Sequence, residues 1–246
     1  MNEKTKTGFM TIIGGFFKGA VPRFFPNACV IGAMWLLKGF GVSGKYIKRN
    51  KEANKQLLET NQNFFVPNQY VENQAHWKSV KFGKKCNMSY AGCEIFSVYN
   101  TMVALGEKPD AEKLVELIGY FEKKGAMLNG MFGVVPSALT NYFKKNGYHV
   151  SKVCGKAEKK LEALFAEFSV VIVTAYNDAR DITKQVHTIC ITKDEQGRFV
   201  LHNAYKRDGA GQFTASVPFD TVQEAIKGIS KGNAKLLYAV GVRKER

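Results

Sequence analysis

The chain has 246 residues, with 36 Lys+Arg against 21 Asp+Glu for a formal charge of +15, and 45% hydrophobic residues. That length and apolar content suit one sizeable core, or a domain with an extension, and exclude a wholly disordered or collagen-like chain. Five cysteines (Cys29, Cys86, Cys93, Cys154, Cys190) without a CxxC pair indicate neither a disulfide framework nor a zinc knuckle, so a reducing compartment is expected, with no metal or other cofactor.

Residues 1–42 form a basic, Gly-rich apolar extension. Its longest uncharged apolar stretch, Ala28 to Leu37, closes at Lys38, short of the about 18 residues a membrane span needs. Pro22 and Pro26 prevent one long helix, but each half suits a membrane interface. Residues 1–60 carry ten Lys/Arg and three Asp/Glu, a balance that favours an anionic lipid surface or nucleic acid. No recognition helix, zinc finger or aromatic RNA-binding signature accompanies it, so no specific nucleic acid is expected. The bland alternative is a solvated extension. The expected location is cytoplasmic or peripheral to the membrane. A secretory signal peptide is a weaker match, because glycines dilute the apolar region and Lys18 precedes the small-residue site at Ala20.

Residues 43–63 read as a polar linker, helical or loose, and the folded domain is expected over 64–246. Its order is helices first and strands afterwards, an α+β arrangement. Gly92 to Leu105 has helical apolar spacing and stops at Gly106. A second helix runs from Asp110 to Lys124, a third from Pro136 to Asn146, and a fourth spans Ala157 to Phe168. The β-branched runs 169–176, 186–192, 198–205 and 236–242 predict strands of one sheet, with a helix over 220–229 capped by Asp220.

Cys93 opens its predicted helix directly after Gly92, where free backbone N–H groups and the helix dipole favour a thiolate. Of four histidines, only His187 and His202 fall on the predicted strands. A three-residue loop at 195–197, with Gly197 left-handed, pairs Asp194 with Arg198 and sets His187 opposite Tyr205. Asn203 then becomes a diagonal neighbour of His187, while His202 points to the other face. The Asn203 amide oxygen is expected to accept from one imidazole nitrogen while the other faces the thiol, the arrangement of nucleophile, base and orienting group used in covalent acyl transfer.

Five segments in order carry a resemblance: NQAHWKSVKFG (73–83), YAGCEIFSVYNTMVALG (90–106), GMFGVVPSALTNYFKKNGYHV (130–150), LEALFAEFSVVIVTA (161–175), and the strands VHTICIT and VLHNAY. Together they resemble the papain-like cysteine peptidases, more closely the bacterial ones related to those that process bacteriocin leader peptides. The resemblance implies a papain-like fold with the catalytic helix packed on an antiparallel sheet. It implies Cys93 as nucleophile, His187 as base and Asn203 as its orienting residue. The oxyanion donor would be Gln74, which fits a Gln-x-x-Trp pattern with Trp77, or alternatively Asn87. Two positions depart from the family pattern: Glu94 follows the cysteine, where a carboxylate raises a thiol pKa, and Ala204-Tyr205 follows the asparagine.

The expected function is therefore a cysteine peptidase, or an amide-acting relative, on a peptide or protein substrate. The alternative is a catalytically silent domain of the same fold that binds peptides or a membrane partner. Because the leader-processing enzymes cut after a double glycine, Gly14-Gly15 raises self-cleavage, although the acidic helix expected of a leader is missing.

Overall fold

The structure, a computed structural model, describes residues 27–61, 64–155, 158–178, 186–230 and 234–245. Gly14-Gly15 lies outside these residues.

Up to residue 147 the regular structure is mainly helical. Helices α1 (Asn27–Lys38) and α2 (Gly44–Thr60) precede a small ribbon of β1 (Lys81–Phe82) and β2 (Cys86–Asn87). Then come α3 (Met88–Ala91), α4 (Cys93–Ala104), α5 (Ala111–Lys124) and α6 (Ser137–Lys145). Gly92 makes the corner between α3 and α4 possible, since a Cβ there would sit 2.4 Å from the Met88 carbonyl oxygen and 2.9 Å from the Phe96 ring. The start of α5 is fixed by Asp110, whose side chain accepts from the Lys113 N–H at 2.8 Å, and Lys123 and Lys124 complement its last turn.

The stretch expected as a linker, 43–63, is mostly α2, and α2 is packed on the domain. Asn54 exchanges two bonds with the backbone of Lys81, at 2.7 and 2.9 Å. Asn50 Nδ2 donates to the Gly83 carbonyl at 2.8 Å and to Glu122 Oε1 at 2.5 Å, and that carboxylate oxygen also accepts the Gly83 N–H at 2.7 Å. The helix buries Asn50, Asn54 and Leu58, so its inward stripe is two amides and one leucine. Such a stripe imitates a solvated face in sequence.

The second part of the chain builds a five-stranded antiparallel sheet. Its strands are β3 (Tyr148–Cys154), β4 (Val170–Tyr176), β5 (Val186–Lys193), β6 (Phe199–His202) and, after a ribbon of β7 (Lys206–Arg207) with β8 (Phe213–Thr214), β9 (Lys235–Lys244). The spatial order is β3-β9-β4-β5-β6. Two helices complete this part, α7 (Glu158–Glu167) and α8 (Val222–Gly228). The cap of α8 is Thr221 in a capping box with Glu224, rather than Asp220. The fold class is α+β, as the order of elements predicts.

Alternation along the strands sends side chains to two cores. Val171, Val173, Ile189, Ile191 and Leu201 pack with Leu161, Leu164, Phe165 and Ile226 of α7 and α8. Ile172, Val240 and Val242 join the larger core that contains α4, α5 and α6. Each fully buried Ile or Phe contributes about 1.5–3 kcal/mol, so α4 is held against the sheet along its length.

The β5–β6 hairpin has the expected register, with Cys190 opposite His202 and Lys193 opposite Phe199. The Asp194 N–H donates to the Arg198 carbonyl at 2.9 Å, and Gly197 closes the turn with φ +77°. Continued three steps, the register faces His187 with Tyr205, and their rings stack at 5.2 Å. β6 nevertheless ends at His202, because Asn203 (φ 61°) and Tyr205 (φ 53°) both take left-handed backbone.

Candidate active site

Four segments far apart in sequence are tied by hydrogen bonds, Gln74 to Asn203 past the end of β6, Asn203 to His187 on β5, and Glu94 at the start of α4 to Thr188 on β5. Cys93 is the first residue of α4 and is 8% exposed. Gln74, in a short 3-10 turn (Gln74–His76), together with Glu94, His187 and Asn203, is buried as well.

His187 and Asn203 are joined, but not through the expected atoms. His187 Nε2 lies 2.7 Å from the backbone carbonyl oxygen of Asn203, not from its side-chain amide. A carbonyl only accepts, so the proton sits on Nε2 and, in the neutral ring, Nδ1 carries the free lone pair. Burial pulls the His187 pKa below its ordinary value, partly offset by the bond to Asn203, which keeps the ring neutral and able to take a proton. The left-handed φ of Asn203 accompanies this arrangement.

The Asn203 side chain instead clasps Gln74. Its Oδ1 accepts the Gln74 N–H at 3.1 Å, and its Nδ2 donates to Gln74 Oε1 at 3.0 Å. Gln74 Nε2 donates one of its hydrogens to the Ser89 carbonyl at 3.0 Å. The Asn87 side chain is engaged elsewhere, capping α3 by accepting from the Tyr90 N–H at 3.1 Å. Of the two oxyanion candidates, Gln74 is the one connected to Asn203.

Cys93 Sγ donates to Glu94 Oε2 at 3.1 Å, rather than bonding to His187. Glu94 Oε1 accepts from Thr188 Oγ1 at 3.4 Å, and Thr188 follows His187 on β5. Burial pushes the Cys93 thiol well above its ordinary pKa, and the charge and hydrogen bond of Glu94 push the same way, against a smaller lowering by Thr188. Burial raises the Glu94 carboxyl to about 7, opposed by hydrogen bonds from Cys93, its own backbone, Thr188 and Val134. At neutral pH the resting site thus holds a neutral thiol beside a carboxyl whose pKa is raised to about 7.

Two features of the site are not legible in the sequence. Glu72 Oε2 accepts the Asn203 N–H at 2.6 Å while its Oε1 bonds His202 Nδ1, also at 2.6 Å. Thr188 links β5 to Glu94. No short-range signal marks either residue, since Glu72 and Asn203 are 131 positions apart. Among the described residues, no group of three His, Cys, Asp or Glu side chains could hold a metal ion. Compared with protein-family models, curated proteins and solved structures, the chain has no match.

Proposed function

We propose that this chain is a cysteine peptidase, or an amide-acting relative, of papain-like fold, acting on a peptide or protein substrate. The observation that carries the reading is the hydrogen-bonded series Gln74–Asn203–His187, with the bond to the Asn203 carbonyl fixing His187 in the tautomer a general base needs, and with Cys93 linked through Glu94 to Thr188, the next residue on β5.

In this reading His187 Nδ1 takes the Cys93 thiol proton, and the thiolate attacks the scissile carbonyl carbon. The oxyanion is held by the Cys93 N–H at the start of α4 and by the second hydrogen of Gln74 Nε2. Collapse of the tetrahedral intermediate breaks the C–N bond, and His187 returns the proton to the leaving amine. Water, deprotonated by the same nitrogen, then releases the acid and the free thiol. Substrate must first part Cys93 from Glu94. Tyr205, 44% exposed against His187, and Phe132, 45% exposed next to Gly133, offer apolar surface there. Gly133 itself lies against Glu94, with a Cβ direction 3.5 Å from Oε2.

The second reading, a silent domain that binds peptides, is favoured by the neutral, nearly buried thiol. Intact-mass measurement with a peptidyl chloromethyl ketone separates the two. Catalysis predicts a single adduct on the wild type, absent in Cys93→Ala and formed at least about 100-fold more slowly in His187→Ala. Equal labelling of wild type and His187→Ala would favour the silent domain.

A further inference from the structure

A second surface is built mainly from the end of α1 and reaches Phe132 at the rim of the candidate site. Trp35, Leu36 and Phe40, at and just beyond the end of α1, are 54%, 76% and 64% exposed. On the other side of α1, Val30, Ile31, Met34 and Leu37 are packed against the larger core. Phe40 is tied to the loop that follows α5: the Asn129 N–H donates to the Phe40 carbonyl at 2.7 Å, and two and three residues on, Met131 and Phe132 are 51% and 45% exposed. One backbone residue thus connects the two apolar clusters.

Cations border these side chains. Lys38 Nζ lies 4.7 Å from the centre of the Trp35 ring. The Lys84 N–H donates to the Asn129 carbonyl at 2.9 Å, beside the bond to Phe40. Arg49 donates to the Lys84 carbonyl at 3.4 Å, and both cations lie over the Tyr46 ring, at 5.0 and 5.7 Å. The segments that supply this surface, 27–51, 81–93 and 123–149, contain no Asp or Glu.

We propose that the face formed by Trp35, Leu36, Phe40, Met131 and Phe132, bordered by Lys38, Arg49 and Lys84, docks on an anionic lipid bilayer. Aromatic and aliphatic groups enter the headgroup boundary while the cations meet lipid phosphates. A second copy fits poorly, because a self-complementary contact would set these cations against one another. Nucleic acid offers no apolar layer for Leu36 and Phe40. Among the described residues no helix is long and apolar enough to cross a membrane, so the contact is with the surface. This extends the sequence expectation for residues 1–60 to a face that includes the loop at 131–132.

The chain has two tryptophans, and Trp77 is only 4% exposed, so Trp35 alone reports on this face. The test uses the full chain with vesicles of equal parts phosphatidylglycerol and phosphatidylcholine, and with phosphatidylcholine alone. Anionic vesicles should shift the tryptophan emission to the blue, and Trp35→Phe should remove the shift. The double variant Leu36→Glu/Phe40→Glu should sediment with vesicles at least about 10-fold less while keeping the wild-type circular dichroism, as expected of exposed positions. Co-sedimentation of that variant equal to wild type, or an unmoved Trp35 emission, would overturn the proposal. So would a wild type that dimerises through these residues and ignores vesicles.

Discussion

His187 on β5 and His202 on β6 belong to neighbouring strands and are both tied to Asn203, one through its carbonyl and the other through the carboxylate that holds its N–H. Their settings differ in the number of engaged nitrogens. His202 has Nδ1 on Glu72 and Nε2 on Thr192 at 3.0 Å, and its ring stacks on Tyr70 at 3.8 Å. His187 engages Nε2, and its Nδ1 has no hydrogen-bond partner among the described residues. A histidine with both nitrogens satisfied anchors structure. One with a single nitrogen held by a carbonyl retains a lone pair for chemistry.

The strongest way to break this contrast is to remove each ring in turn. His187→Ala should lower any amide-cleaving activity by roughly 10³-fold or more, with a stability loss of at most about 2 kcal/mol. His202→Ala should do the reverse in rank, costing about 3 kcal/mol because Glu72 Oε1 loses its hydrogen bond and Tyr70 its stacked ring in a mostly buried place. Urea unfolding beside activity measurements checks both; equal loss of activity with equal stability would erase the distinction.

Glu94 provides a smaller effect of opposite sign. Its charge and hydrogen bond raise the Cys93 pKa, so Glu94→Gln should move the pH profile of Cys93 alkylation to lower pH and speed labelling by about 10-fold at pH 7.5. An unchanged profile would mean that burial alone sets the thiol. The same carboxyl bears on stability. Its folded pKa, about 7, exceeds the ordinary glutamate value of 4.5, so its favourable contribution is complete below about pH 4.5 and is lost as pH rises through about 7. The loss amounts to about 3 kcal/mol relative to Glu94→Gln, which a comparison of melting temperatures at pH 5 and pH 8 would register.

The smallest effect should come from Asn203→Gly. Glycine accepts the left-handed backbone and keeps the carbonyl that His187 uses, so activity should fall only about 10-fold, through loss of the clasp on Gln74. A loss as large as that of His187→Ala would return the orienting role to the side chain.

The helices from Cys93 onward and the β5–β6 register are legible in the sequence because local chemistry dictates them. Asp110 and Gly197 act within a few residues of themselves. β3 is not foreseen by β-branched patterning: its run Tyr148–Cys154 sits at the sheet edge, half-exposed, and carries Ser151 and Lys152 in its middle. The strand expected over 198–205 is cut short by two left-handed residues, a choice set by the surrounding site rather than by β propensity. The site residues are legible as types in an order. Their bonds are not, because Glu72, Thr188 and the carbonyl of Asn203 act across the fold.

The polar seam of α2 has a consequence for synthesis. Asn50 is made 72 residues before Glu122, which its side chain contacts. At about 5–20 residues per second, the helix waits roughly 4–14 s on the ribosome before that carboxylate exists. During this interval Asn50 lacks that partner, and of its two long-range acceptors only the Gly83 carbonyl is already made. The N-terminal helix should therefore lock into place late, and nascent chains stopped before residue 122 should leave α2 open to protease.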